Sequence, residues 1–150
     1  MYRKGVSALI LNKNQELLLV NLVAFENQYY AIPGGGVEEG ETLEDAVYRE
    51  IKEELGIEKN TLKYIAKSDN PLRFKFKVTK VNREGREYSG SERYFFGFNF
   101  IGDDENISIQ ESEVRSYKWV PFSDLGKYLL FDNQLAESLV KITELFPSIK

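Results

Sequence analysis

Cysteine and histidine are both absent from the 150 residues. Their absence excludes disulfides, thiolate nucleophiles, imidazole bases and every zinc or haem site built on those ligands. Catalysis must then rest on carboxylates, Lys, Tyr, Ser or Thr, with a hard, oxygen-seeking cation as the natural helper. Proline is scarce, at four residues, and no repeat, linker or low-complexity tract divides the chain. It reads as a single domain over residues 1–150, in line with roughly 150 residues per domain. No apolar run approaches the ~18 residues that span a bilayer. Arg3 and Lys4 precede an apolar stretch at residues 6–11, but Ser7 interrupts it and it is too short for a secretory signal. The expectation is a cytoplasmic protein with no membrane partner, a monomer or homodimer. Excess positive charge is missing too: 24 acids against 20 bases give −4, which excludes a chain-wide nucleic-acid footprint.

What is present suffices for a core, with 42% hydrophobic and 13% aromatic residues. Residues 6–11 and 16–22 are apolar runs around Asn12-Lys13-Asn14, a hairpin signal. Residues 29–32 read as a short extended segment stopped by Pro33, after which Gly34, Gly35 and Gly36 lead through a loop or turn. Residues 42–55 form the clearest helix, with Leu43, Ala46, Val47, Ile51 and Leu55 at helical spacing. Thr42 with Asp45 approximates a capping box, and Gly56 suits the left-handed position past the helix end. Phe74, Phe76 and Val78 alternate with Arg73, Lys75, Lys77 and Thr79, the pattern of a half-buried strand. Glu84-Gly85-Arg86 is then a turn and residues 94–101 an aromatic returning strand. Residues 117–120 make another strand, and residues 133–146 a closing helix with Leu135, Leu139, Ile142 and Phe146 inward. Strands and helices interleave without a regular βαβ repeat, so the class is α+β, a mixed sheet between helices.

The helix at 42–55 carries the chemistry. At about 100° per residue, with Glu50 as zero, Glu53 lies near −60° and Glu54 near +40°. The apolar face runs from about −40° to about 140°, so these three acids project from the buried face or beside it. They also occupy the last two turns, where the helix dipole disfavours negative charge by ~0.3–1 kcal/mol each. Folding gives no reason for that placement, whereas a divalent cation does, because it neutralises acids that otherwise repel. Glu38, Glu39, Glu44 and Asp45 fit a plain solvated face. Arg49, next to Glu50 and four residues before Glu53, either orients carboxylates or makes an ordinary surface ion pair.

Taken together these residues resemble the Nudix hydrolase family. Its signature is Gly, five residues, Glu, seven residues, Arg-Glu, an aliphatic, any residue, Glu-Glu, any residue, Gly, an aliphatic. The chain reads Gly35, Glu41 and Arg49-Glu50-Ile51-Lys52-Glu53-Glu54-Leu55-Gly56-Ile57, with each defined position filled. The resemblance implies an α/β/α sandwich and Mg²⁺- or Mn²⁺-assisted hydrolysis of a nucleoside diphosphate linked to another moiety. It implies Glu50 and Glu54 as main metal ligands, Glu53 as ligand or base, and the Gly34 carbonyl as a further ligand. Arg49 joins the catalytic set, and with Glu41 it supports the carboxylates.

Within the family, Glu113 and the following residues to Val120 resemble the acidic loop and strand of the RNA pyrophosphohydrolase and dinucleoside polyphosphate hydrolase branch. That points to Glu113 as metal ligand or base, with Glu111 competing. Tyr2-Arg3-Lys4-Gly5-Val6 is similar to the branch's opening, where Arg3 can meet phosphate, and Ser91-Glu92-Arg93-Tyr94 resembles its strand before the acidic loop. Residues 63–93 hold nine bases and four acids, against two bases and eight acids in residues 35–57. Such a basic stretch beside a metal suits a long polyphosphate or an RNA 5′ end. Arg73, Lys75 and Lys77 thus either bind phosphate, with Arg93, or form the wet face of an edge strand. Tyr29, Tyr30, Phe74 and Tyr94 are stacking candidates for a base, or simply core. The expected substrate is a dinucleoside polyphosphate or 5′-triphosphorylated RNA. The alternatives are a house-cleaning nucleoside triphosphate pyrophosphatase or a non-catalytic nucleotide-binding regulator, whose mark would be a broken signature.

Overall fold

Strand β1 (Tyr2–Leu11) turns back into β2 (Glu16–Leu22) around Asn12. The Asn12 Oδ1 accepts from the N–H groups of Asn14 and Glu16, both at 3.0 Å, in the manner of an Asx turn. Beyond the pair Leu11 and Leu17, β1 takes another antiparallel partner, β3 (Gly34–Gly36), with Ser7 opposite Gly34 and Gly5 opposite Gly36. The computed structural model describes residues 1–81 and 85–147.

This reverses the expectation for residues 29–36. The 29–32 segment enters an isolated bridge, Val20 with Ala31, while the glycines form the strand. Crowding explains the composition: a Cβ on Gly34 would sit 2.0 Å from the Val6 carbonyl oxygen, and one on Gly35 2.4 Å from the Glu50 carboxyl carbon. Three small residues let a strand lie directly against carboxylates.

Helix α1 (Leu43–Leu55) follows the expected caps. The Thr42 side chain accepts from the Asp45 N–H at 3.1 Å, and Gly56 ends the helix at φ 64°. Then come β4 (Leu62–Lys67), unforeseen from the sequence, β5 (Leu72–Val81), β6 (Glu87–Phe100), β7 (Val114–Pro121) and helix α2 (Gln134–Leu145). The strands form one sheet in the order β4-β6-β1-β2-β7, with β5 also on β6 and β3 on β1. Strands β1 and β6 run parallel and the other pairs antiparallel, so the sheet is mixed and the class α+β.

Alternate residues of the central strands feed two cores. Val6, Ala8, Ile10, Phe96 and Phe98 pack with Ala46, Val47, Ile51 and Leu55 of α1. Leu9, Leu11 and Phe95 pack on the other face with Ile142 and Leu145 of α2, and with Phe146 just beyond it. The result is two helices on opposite faces of one sheet.

Two elements depart from the expected pattern. In β5, Phe74 is 40% and Val78 72% exposed, so the strand is not half-buried. It lies at the sheet margin, hydrogen-bonded to β6, and the core ends before it. The side chains of Phe76 and Lys77, and Glu84 of the expected turn, lie outside the described residues. In α2, Leu139 is 39% exposed while Ser138 and Lys141 are buried. The helix is rotated so that a polar stripe, not an unbroken apolar one, meets the sheet. Among the described residues no helix is long and apolar enough to cross a membrane.

Candidate active site

Strand β3 lies between β1 and α1 and brings the glycines against the helix acids. Glu54 is buried, and its Oε1 accepts from the Gly34 N–H at 2.9 Å. Gly34 thus meets Glu54 through its N–H. The Glu50 carboxylate lies over Gly35, in the space a Cβ would fill. Glu53, one turn along, is 52% exposed at its side chain.

Arg49 ties these groups together. Its Nε and Nη2 grip the Glu41 carboxylate at 2.7 and 2.9 Å, and Nη2 also donates to the Gly36 carbonyl at 2.9 Å. Its Nη1 donates to Glu50 at 3.0 Å and Glu53 at 3.2 Å. All five guanidinium donors are engaged, so Arg49 orients carboxylates and the glycine strand and has none left for a ligand. The hydrogen bond from Arg49 holds Glu41 below the usual carboxylate range.

Glu54 and Glu50 move the opposite way. Burial pushes Glu54 up to about 8, and the charges of Glu50 and Glu113 push in the same direction, against the Gly34 hydrogen bond and Arg93. Burial also raises Glu50, against the hydrogen bond from Arg49, with Glu53 and Glu113 adding to it. The charge of Glu113 therefore reaches both helix acids from the turn before β7, where its N–H donates to the Gln110 carbonyl. Glu111 is exposed in the same turn.

Among the described residues no three carboxylates converge as they stand into a ready metal cage. The donor chemistry nonetheless fits a hard divalent cation. Glu50, Glu54 and Glu113 offer oxygen alone, and Glu54 carries a burial penalty that Gly34 and Arg93 do not cancel. A divalent cation is a group that could supply that compensation.

Arg93 of β6 comes from the other side. Its Nη1 donates to the Val6 carbonyl at 2.9 Å and to the Ser7 hydroxyl at 3.0 Å, which fixes the guanidinium and leaves Nε and Nη2 for a ligand. Burial draws the Arg93 pKa below the usual value, against the charges of Glu54 and Glu50.

Glu54, Gly34, Ser7 and Arg93 line one end of a cleft of about 370 Å³. Its other walls are Phe25, Phe74, Phe95 and Phe131, with Gln134, Glu137 and Ser138 from α2. Phe131 is held edge-on by Phe25 (5.1 Å) and stacked on Tyr29 (4.3 Å). A second, polar cleft of about 880 Å³ includes Arg3, Lys4, Glu38, Glu41 and Arg86. The guanidinium of Arg3 covers Gly36 there, with Nη2 2.7 Å from the place of a Cβ.

Several expected contacts are not brought together. Leu72 and Phe74 face the first cleft, so Arg73 and Lys75 project from the opposite side of β5. Arg73 pairs there with Glu92 at 3.3 Å and lies over the Tyr2 ring. Tyr30 packs edge-on against Tyr128 at 5.2 Å and lines neither cleft. Tyr94 gives its hydroxyl to Glu92. The aromatic wall instead uses Phe25 and Phe131, which no local pattern marks: one follows β2 in a loop, the other precedes α2, 106 positions later.

The sequence profile of the NUDIX domain family matches residues 1–142. The chain is similar to an RNA pyrophosphohydrolase from Orientia tsutsugamushi (strain Boryong), 31% identical over 97% of this chain and 91% of that one. It is similar in structure to the dihydroneopterin triphosphate pyrophosphohydrolase of E. coli (TM-score 0.72, 17% identity, 99% of both chains). The MutT protein of Methanosarcina mazei Go1 is another structural neighbour (TM-score 0.68, 20% identity, 95% of this chain and 94% of that one).

Proposed function

The chain belongs to the NUDIX family of pyrophosphohydrolases, and from that premise we propose that it cleaves a phosphoanhydride in a dinucleoside polyphosphate or 5′-triphosphorylated RNA, in the cytoplasm, with Mg²⁺ (or Mn²⁺) bound. The observation that carries this reading is the first cleft. It joins a buried carboxylate and an anchored guanidinium at one end to phenylalanine rings at the other. A nucleotide has the same two ends, an anionic phosphate chain and a stacking base. The RNA pyrophosphohydrolase relative supports the choice of substrate class.

Glu50 and Glu54 would hold the cation, with Glu53 or Glu113 adding a ligand or taking a proton from the attacking water. The cation would supply neutralisation of phosphate oxygens and a more acidic water. The chain's own contribution is orientation and charge. Arg93 presents Nε and Nη2 to phosphate oxygens from a guanidinium fixed on the β1 backbone. Arg49 keeps Glu50 and Glu53 at one side of the glycine strand. Phe131, backed by Phe25 and Tyr29, offers a ring face to the base.

The test is release of phosphate and pyrophosphate with Mg²⁺ across diadenosine polyphosphates, 5′-triphosphorylated RNA, nucleoside triphosphates (ordinary and oxidised) and ADP-ribose. Turnover concentrated on the first two is expected. Preference for triphosphates would replace the substrate class and leave the cation site standing. No turnover on any of them would revive the non-catalytic regulator.

A further inference from the structure

Lys141 is a buried lysine outside the carboxylate site. Its side chain is 5% exposed, and its ammonium donates to Ser68 Oγ at 2.6 Å, the Asn70 carbonyl at 2.6 Å and Glu144 Oε1 at 3.2 Å. All three of its donors are used. The acceptors are themselves tied down. Ser68 donates its hydroxyl to the Asn70 carbonyl and its N–H to Phe95 of β6, and Glu144 Oε2 accepts from the Asp69 N–H.

This cluster joins the two walls of the first cleft. On α2, Gln134, Glu137 and Ser138 line the cleft, and Lys141 is the next residue on the same helical stripe. On the other side, Ser68 and Asn70 form the turn that feeds β5, whose Leu72 and Phe74 line the cleft two and four residues later. An apolar side chain could fill the same space without the cost of desolvating an ammonium. What it could not do is bind the two acceptors on the turn, Ser68 Oγ and the Asn70 carbonyl, while also pairing with Glu144 on its own helix.

We propose that Lys141 is a positioning residue that clamps α2 to the β4–β5 turn and so sets the spacing between Phe74 and the α2 wall where the nucleoside sits. This rests on the nucleotide reading of the cleft. The clamp acts on the nucleoside end only, because the phosphate end is built from β1, β3, β6 and α1.

The experiment compares ADP with inorganic pyrophosphate, which differ by the nucleoside, as calorimetric ligands of the Mg²⁺-loaded protein. In Lys141→Met, ADP affinity is expected to fall about tenfold, as when a base loses one stacking contact, with pyrophosphate affinity unchanged. Ser68→Ala, which removes one acceptor, is expected to show a smaller loss of the same kind and serves if Lys141→Met does not fold. Equal loss on both ligands, or none on either in folded protein, would overturn the clamp. A wild-type protein that binds ADP no tighter than pyrophosphate would overturn the nucleotide reading, and the clamp with it.

Discussion

The two ends of the first cleft are built by different rules. At the carboxylate end the acids and their supports are local. Gly34 and Glu54, which line the cleft, and Glu41, Arg49, Glu50 and Glu53 beside them come from one strand–loop–helix segment, to which only Ser7 and Arg93 are added from β1 and β6. Arg49 alone binds four of the segment's groups. The aromatic end is assembled from a loop after β2, an exposed edge strand and the approach to α2. A local site can be written as fixed spacing on one helix. A dispersed one depends on how the whole chain packs, so its residues are free to change with substrate while the chemistry stays.

Substitutions at the two ends should therefore fail differently. Glu54→Gln, which keeps shape and removes the charge a cation needs, is expected to cost about 10³-fold in turnover, the upper range for loss of an electrostatic group. Steady-state rates at saturating Mg²⁺ would measure it, and a loss under tenfold would remove Glu54 from the site. Glu53→Gln should lower kcat at least ~10²-fold, the low end for a positioned base. Near-wild-type turnover would sink that role, and the same measurement on Glu113→Gln decides the loop acid.

At the aromatic end the expected effect is smaller and of another kind. Phe131→Ala should raise KM about tenfold with kcat nearly unchanged, because stacking holds the ground and transition states alike. A fall in kcat with KM constant would place Phe131 with the chemistry and blur the division. Smallest of all, Lys75→Ala should change kcat/KM by less than about twofold, as expected of an exposed charge on the far side of β5. A larger, salt-sensitive loss would show that polyphosphate reaches that face.

This division also explains what could be read from residues alone. Helix α1, its Thr42 and Gly56 caps and its inward acids were legible because their signals lie within a few residues of each other. The glycine strand was not: Gly34 to Gly36 read as a loop, since nothing local says that Val6 and Glu50 will crowd them. Strand β5 has the alternation of a half-buried strand, yet β5 sits beyond the core, and period alone does not say whether anything covers the apolar side. Helix α2 hid its phase because Lys141 counts as polar until its three acceptors, more than 70 positions away in two cases, are known. Tyr30 and Arg73 had suitable chemistry for a base and a phosphate, and packing gave them Tyr128 and Glu92 instead.

On the proposed reading, Glu54 is buried without adequate compensation in the metal-free chain and gains it when a cation binds. With its carboxyl raised to about 8, the folded metal-free chain holds a proton there that the unfolded chain would release near the ordinary carboxylate range. The folded state then binds more protons between those values, so its metal-free stability falls as pH rises through about 8. The most direct measurement is calorimetric Mg²⁺ binding at pH 7 in buffers of different ionisation enthalpy. Release of close to one proton per cation, fading above pH 9 and absent in Glu54→Gln, is the predicted result. Binding without proton release, or release unchanged in Glu54→Gln, would contradict it.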